Sequence, residues 1–117
     1  MNNKPKYHLF KNTQYAVEGL IHAIKTESSF RLELVAGVFI FLAIYMIDIS
    51  STEKLILIIT AFLVLIVELL NSAVENVVDL VTKDIHPLAK SAKDIGATAV
   101  MFSISLHIIC WIVILLN

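Results

Sequence analysis

With 117 residues the chain has room for one domain. At 58% hydrophobic residues and a mean hydropathy of +0.84, it carries more apolar surface than a water-soluble core of that size can hide. A net charge of -1 without a basic stripe argues against a nucleic-acid partner, and a single cysteine, Cys110 within an apolar run, excludes disulfides and zinc sites.

Residues 1–33 are polar and contain no apolar h-region, so no cleavable signal peptide is expected. Within them, Phe10, Val17, Leu20, Ile21 and Ile24 fall on one side of a helix. Lys11, Glu18, His22 and Lys25 fall on the other, the pattern of a helix lying in a membrane interface at about 8–27. Leu34 to Ile47 is a charge-free run of 14 residues between Glu33 and Asp48. Leu55 to Val67 gives 13 more, continuing past Glu68 as Leu69, Leu70, Ala73 and Val74. The run from Ile95 to Asn117 is 23 residues long without a formal charge. A span needs about 20 residues, so the first two reach that length only by including polar ends.

The expected architecture is therefore all-α. It has an interfacial helix followed by three transmembrane helices, at about 31–48, 53–81 and 92–116. Ser50-Ser51-Thr52-Glu53 has capping-box spacing ahead of the second span, and Pro87 is expected to end that helix in the following loop. Lys4, Lys6, Lys11, Lys25 and Arg31 precede the first span, and Lys83, Lys90 and Lys93 separate the second from the third. Only Lys54 lies in the other loop. The positive-inside rule then puts the N-terminus in the cytoplasm and the C-terminus outside.

The chemistry is concentrated in residues 68–79. At 100° per residue, Asn71, Glu75 and Asp79 lie at about -60°, -20° and +20° from Glu68, with Ser72 near +40°. These residues make one polar stripe. Measured from Leu55, Glu68 is roughly 20 Å deep and Glu75 roughly 30 Å, at the far boundary of the hydrocarbon. Asp79 and Glu75 are open to a plain reading as interfacial charges, but Glu68 lies below that surface, and an ionisable group there by default marks function. Two boundary carboxylates suit Mg²⁺, which takes one or two carboxylates plus substrate phosphates. A deeper one suits proton removal from a hydroxyl. Phosphoryl transfer uses both, with lysines against phosphate charge. Lys90, Lys93 and Asp94 open the third helix on the same side, and Glu27, Arg31 and Glu33 approach it from before the first.

The run E-L-L-N-S-A-V-E-N-V-V-D from Glu68 to Asp79 resembles the signature of the bacterial diacylglycerol kinase family. Glu27-Ser28-Ser29-Phe30-Arg31 and Ala92-Lys93-Asp94 match its flanks, and the likeness extends over nearly the whole chain. The resemblance implies a homotrimer that phosphorylates the membrane lipid diacylglycerol with ATP and Mg²⁺, without the fold of soluble kinases. It implies Glu68 as catalytic base with Asn71 as polar support, and Glu27 and Glu75 as metal ligands. Nucleotide contacts carry over to Tyr15, Glu27, Glu75, Asp84, Ile85, His86, Lys93 and Asp94. Lipid contacts carry over to Phe30, Arg31, Glu33, Lys54, Glu68 and Trp111. His8 stands where relatives often have arginine, and Ala97 where some have serine. His86-Pro87-Leu88-Ala89-Lys90 is similar to Gram-positive relatives that phosphorylate undecaprenol, which is the alternative acceptor. The bacterial inner membrane is the expected location.

A small ion- or proton-translocating subunit would need polar groups across the outer half, where residues 55–67 offer only Thr60. A scaffold without catalysis leaves the cost of burying Glu68 unexplained. His107 and Cys110 are too few for a metal site. His107 is expected to bond a neighbouring helix, and Trp111 fits an outer aromatic belt as well as a lipid contact. His86 reads equally as a nucleotide contact or a solvated side chain. Asp48 is expected to be an outer boundary charge, and Tyr45 and Met46 are expected to pack.

Overall fold

The computed structural model describes residues 8–117; Lys4 and Lys6 lie outside them. It is all-α, with α1 at Leu9–Thr26, α2 at Ser28–Met46, α3 at Ser51–Val81 and α4 at Pro87–Leu116. The last three helices are long and apolar enough to cross a membrane. At 1.5 Å per residue, α3 and α4 are each about 45 Å long. That exceeds a hydrocarbon core of about 30 Å, so each helix either tilts or projects beyond it.

Each boundary has a local cause. Glu27 alone separates α1 from α2, with extended backbone (φ -111°, ψ 101°). Behind this elbow Ala23 and Phe30 are buried. The last carbonyls of a helix lack partners within it, and Arg31 Nη1 supplies one by donating to Ile24 O at 2.7 Å and Lys25 O at 3.1 Å. Lys54 does the same for α2, where its Nζ donates to Tyr45 O at 3.1 Å and lies 5.9 Å from the Tyr45 ring centre. The capping box opening α3 is complete. Glu53 N donates to Ser50 Oγ at 3.1 Å, and Ser50 N donates to Glu53 Oε1 at 3.0 Å.

Two sequence expectations are corrected. Pro87 does not end α3, which stops at Val81, but occupies the first turn of α4. A proline costs nothing there because that N–H has no helical partner, and His86 caps the turn, its Nδ1 accepting from Leu88 N at 3.1 Å. Tyr45 and Met46 do not pack inward; they are 76% and 80% exposed, on the outside of the last turn of α2.

The principal packing is between α3 and α4, with α2 laid more loosely on α3 and α1 touching α2. Ile44, Leu57 and Ile114 form a small core at the end of the bundle near the 47–50 connection. Most large apolar side chains instead face outward, including Phe39, Phe41, Phe62 and Phe102, more apolar surface than a soluble monomer presents to water.

Leu57 is fully buried in that core and Ile59, two residues on, is 56% exposed. Leu57→Ala is expected to lower stability by about 2–5 kcal/mol, and Ile59→Ala by less than about 1 kcal/mol. Thermal unfolding in detergent micelles measures both.

Candidate active site

The polar stripe of α3 turns inward. Glu68, Asn71 and Ser72 are buried, and Glu75 and Asp79 are half-buried toward the end of the helix. A polar group on the lipid face has no partner, so the stripe and the packed face of α3 coincide. On α2, Glu33 meets Glu68 within hydrogen-bonding reach. Glu27, delivered by the elbow, and Glu75 lie close enough for their charges to act on Glu68. Four carboxylates from α2, α3 and the elbow converge.

No lysine or arginine pairs with any of them among the described residues. The basic groups are engaged elsewhere: Lys93 Nζ lies 2.6 Å from Asp79 Oδ1, across α3 and α4, and Lys90 Nζ lies 2.6 Å from Asp94 Oδ2 within α4. Arg31 is held on the carbonyls of α1. Ionised carboxylates only accept hydrogen bonds. Two of them in contact therefore need a proton or a cation between them. Hard oxygen donors without a basic partner fit Mg²⁺. No group of three or more acidic, histidine or cysteine side chains closes around a metal position among the described residues. The remaining ligands of such an ion would be phosphate oxygens and water, which Mg²⁺ accepts.

Asn71 steers one of these carboxylates. Its Nδ2 donates to Glu75 Oε1 at 2.9 Å, so the expected support beside Glu68 is attached instead to Glu75. Because the carboxylate can only accept, the amide orientation is fixed. Asn71 Oδ1 is then buried without a hydrogen-bond partner, as is Glu33 Oε2. Gly96 of α4 leaves room for it, since a Cβ there would overlap Asn71 Oδ1.

The other expected site residues are spread out. Tyr15 is exposed on α1 and makes no hydrogen bond to the rest of the nucleotide set among the described residues. Asp84, Ile85 and His86 lie exposed in the connection from α3 to α4. Phe30 is buried at the elbow. Lys54 opens α3, so fourteen residues, about 21 Å of helix, separate it from Glu68. Trp111 lies at that same far end, packed against the core of Ile44, Leu57 and Ile114.

A family profile described as prokaryotic diacylglycerol kinase matches residues 14–115. The chain belongs to this family. It is 38% identical over 105 residues to the diacylglycerol kinase of Pseudomonas aeruginosa, spanning 90% of this chain and 85% of that one. Identity to the diacylglycerol kinase of Escherichia coli K12 is 36% over 107 residues, 92% and 88% of the two chains. The undecaprenol kinase of Bacillus subtilis is 35% identical over 91 residues, 78% and 74% of the two. By family the protein is a lipid kinase, and the carboxylate cluster of α3 lies inside the matched region.

Sequence reasoning missed two features of this kinase, the contact of Glu33 with Glu68 and the role of Gly96. Gly96→Ala is expected to displace the Asn71 amide from Glu75 and to lower phosphorylation activity about tenfold or more, on the scale of small misplacements in active sites. Gly19→Ala, where a Cβ meets nothing within 4 Å, is the matched control and should leave the rate unchanged. Steady-state rates in mixed micelles compare the two.

Proposed function

We propose that the protein transfers the γ-phosphoryl group of ATP to the hydroxyl of diacylglycerol, giving phosphatidic acid. The observation that carries this reading is the buried Glu68 amid three further carboxylates with no basic partner, on a helix of a diacylglycerol kinase family member. Glu68 accepts the hydroxyl proton as the lipid oxygen bonds to phosphorus and ADP departs. Glu33 orients Glu68 from the opposite helix. Glu27 and Glu75 hold Mg²⁺, with Asn71 fixing the direction of Glu75. When bound, the ion neutralises charge on the phosphates. Lys93 adds positive charge at the rim, and Asp94, the Asp84–His86 connection and Tyr15 complete the nucleotide subsite. Phe30, Arg31, Lys54 and Trp111 complete the lipid side.

We further propose that α1 lies in the membrane interface, that the chain acts as a homotrimer, and that the carboxylate end faces the cytoplasm across a bacterial inner membrane. The single chain supports these steps in particular ways. Phe10, Val17, Leu20, Ile21 and Ile24 of α1 are all exposed, as an interfacial helix requires. The outward apolar faces of α2 to α4 leave surface for neighbouring copies as well as lipid. Tyr15 is exposed and makes no hydrogen bond to the other nucleotide residues among the described residues, which is compatible with a second subunit completing the subsite.

The deciding experiment supplies purified protein in micelles with ATP, Mg²⁺ and either diacylglycerol or undecaprenol, and measures phosphorylated lipid. Diacylglycerol is expected to be the better acceptor; the reverse ranking would move the assignment to undecaprenol. Glu68→Gln keeps size and hydrogen bonding but removes the base, so turnover is expected to fall about 100-fold or more. Near-normal turnover in that variant would end the assignment of Glu68.

Orientation is tested separately. With Cys110 replaced by alanine, Ser91→Cys should resist a membrane-impermeant thiol reagent in intact cells and react after permeabilisation. Ser51→Cys should react in intact cells. Labelling of Ser91→Cys from outside would separate the carboxylates from cytoplasmic ATP and refute the kinase geometry.

A further inference from the structure

The end of the bundle away from the carboxylates contains a polar group that phosphoryl transfer does not use. Thr60 and His107 are each 7% exposed, and Trp111 is half-buried beside them. Thr60 Oγ1 lies 2.7 Å from His107 Nδ1, and Trp111 Nε1 lies 2.9 Å from His107 Nε2. These two distances fix where the proton of the imidazole sits. An indole N–H can only donate, so His107 Nε2 accepts and carries no hydrogen. The ring proton is then on Nδ1, and Nδ1–H donates to Thr60 Oγ1. The Thr60 hydroxyl still has its own hydrogen, which reaches Ile56 O at 3.0 Å on the same helix. A chain of donors thus runs from Trp111 through His107 and Thr60 to the backbone of α3. Every donor is used, and no formal charge enters the apolar layer. The opposite tautomer would set two N–H groups against each other at Trp111.

We infer that His107 is a positioning residue: held as the neutral Nδ1–H tautomer, it fastens α4 to α3 and sets the orientation of the Trp111 ring. The two rings meet edge to face, with centres 6.2 Å apart at 83°. Trp111 packs against Ile44, Leu57 and Ile114, so its orientation shapes the surface where α2, α3 and α4 meet at this end. The consequence for substrate rests on the lipid contact proposed for Trp111 above. The tautomer and the ring orientation do not. His107 and Cys110 do not act as a metal pair here, because both ring nitrogens are engaged.

Two measurements on the full-length protein in micelles read the relay without activity. In ¹⁵N-histidine-labelled protein, the resonances lost in His107→Gln should show a protonated Nδ1 and an unprotonated Nε2. Trp111 is the only tryptophan, so fluorescence emission reports its N–H bond directly. Thr60→Val and His107→Leu should both shift that emission to the blue, and His107→Gln, which can accept and donate, should restore much of it. If Trp111 contacts lipid, His107→Leu should raise KM for lipid about threefold, the effect of an average interhelical hydrogen bond in a membrane, with KM for ATP unchanged. A protonated Nε2, or emission in Thr60→Val and His107→Leu identical to wild type, would overturn the inference. A shifted emission with an unchanged lipid KM would overturn the step from ring orientation to substrate. Should the wild-type protein phosphorylate no lipid at all, the proposed function fails, while the resonances and the emission still decide the relay.

Discussion

A polar side chain within the hydrocarbon of a membrane must find its partner inside the protein, because the solvent supplies none. In this chain the rule is met in two different ways. At the Trp111 end it is met completely, since the indole, imidazole and hydroxyl satisfy one another and the last hydrogen goes to the backbone. At the Glu68 end it is not met by the protein alone. Glu27, Glu33, Glu68 and Glu75 are gathered while Lys93 and Lys90 are paired with Asp79 and Asp94. One end of the bundle is closed by its own hydrogen bonds, and the other gathers carboxylates without a salt-bridge partner among the described residues.

That contrast explains why the α3–α4 pair is the most extensive packing in the molecule. The Thr60–His107 bond fastens the two helices in one half, and the close approach of Asn71 to Gly96 does so in the other. The Lys93–Asp79 ion pair lies beyond both, half-exposed at the rim, where solvent screening makes such a pair worth little. Its value to the fold is small, and both of its side chains remain open to water.

Much of this was legible in the residues. The apolar runs indicated three spans, the spacing of Ser50 and Glu53 indicated the start of α3, and the stripe from Glu68 to Asp79 indicated its packed face. An interhelical bond from His107 was also foreseeable. Pro87 fits either reading because proline both terminates and initiates helices, and only the non-helical stretch 82–86 distinguishes the two. Tyr45 and Met46 were misread because apolar character does not separate a protein-facing position from a lipid-facing one. The hydrophobic contrast that marks a core in water is absent in a bilayer. The family resemblance places Asn71 as support beside Glu68, and its amide donates to Glu75, one turn further along the same helix face.

The position of Glu33 follows from a ruler that the sequence contains. The short 47–50 connection fixes α2 and α3 as antiparallel neighbours, so depths can be counted from it on both. Glu33 lies thirteen residues before Met46, about 20 Å down α2, and Glu27 lies nineteen before it, about 28 Å down. On α3, Glu68 and Glu75 are seventeen and twenty-four residues beyond Ser51, about 26 Å and 36 Å. All four carboxylates therefore lie in the part of the bundle away from that connection, where Glu33 meets Glu68. One residue inserted into the 47–50 connection would change which groups face each other across the two helices, so the length of that distant turn is as much a determinant of the site as the glutamates are.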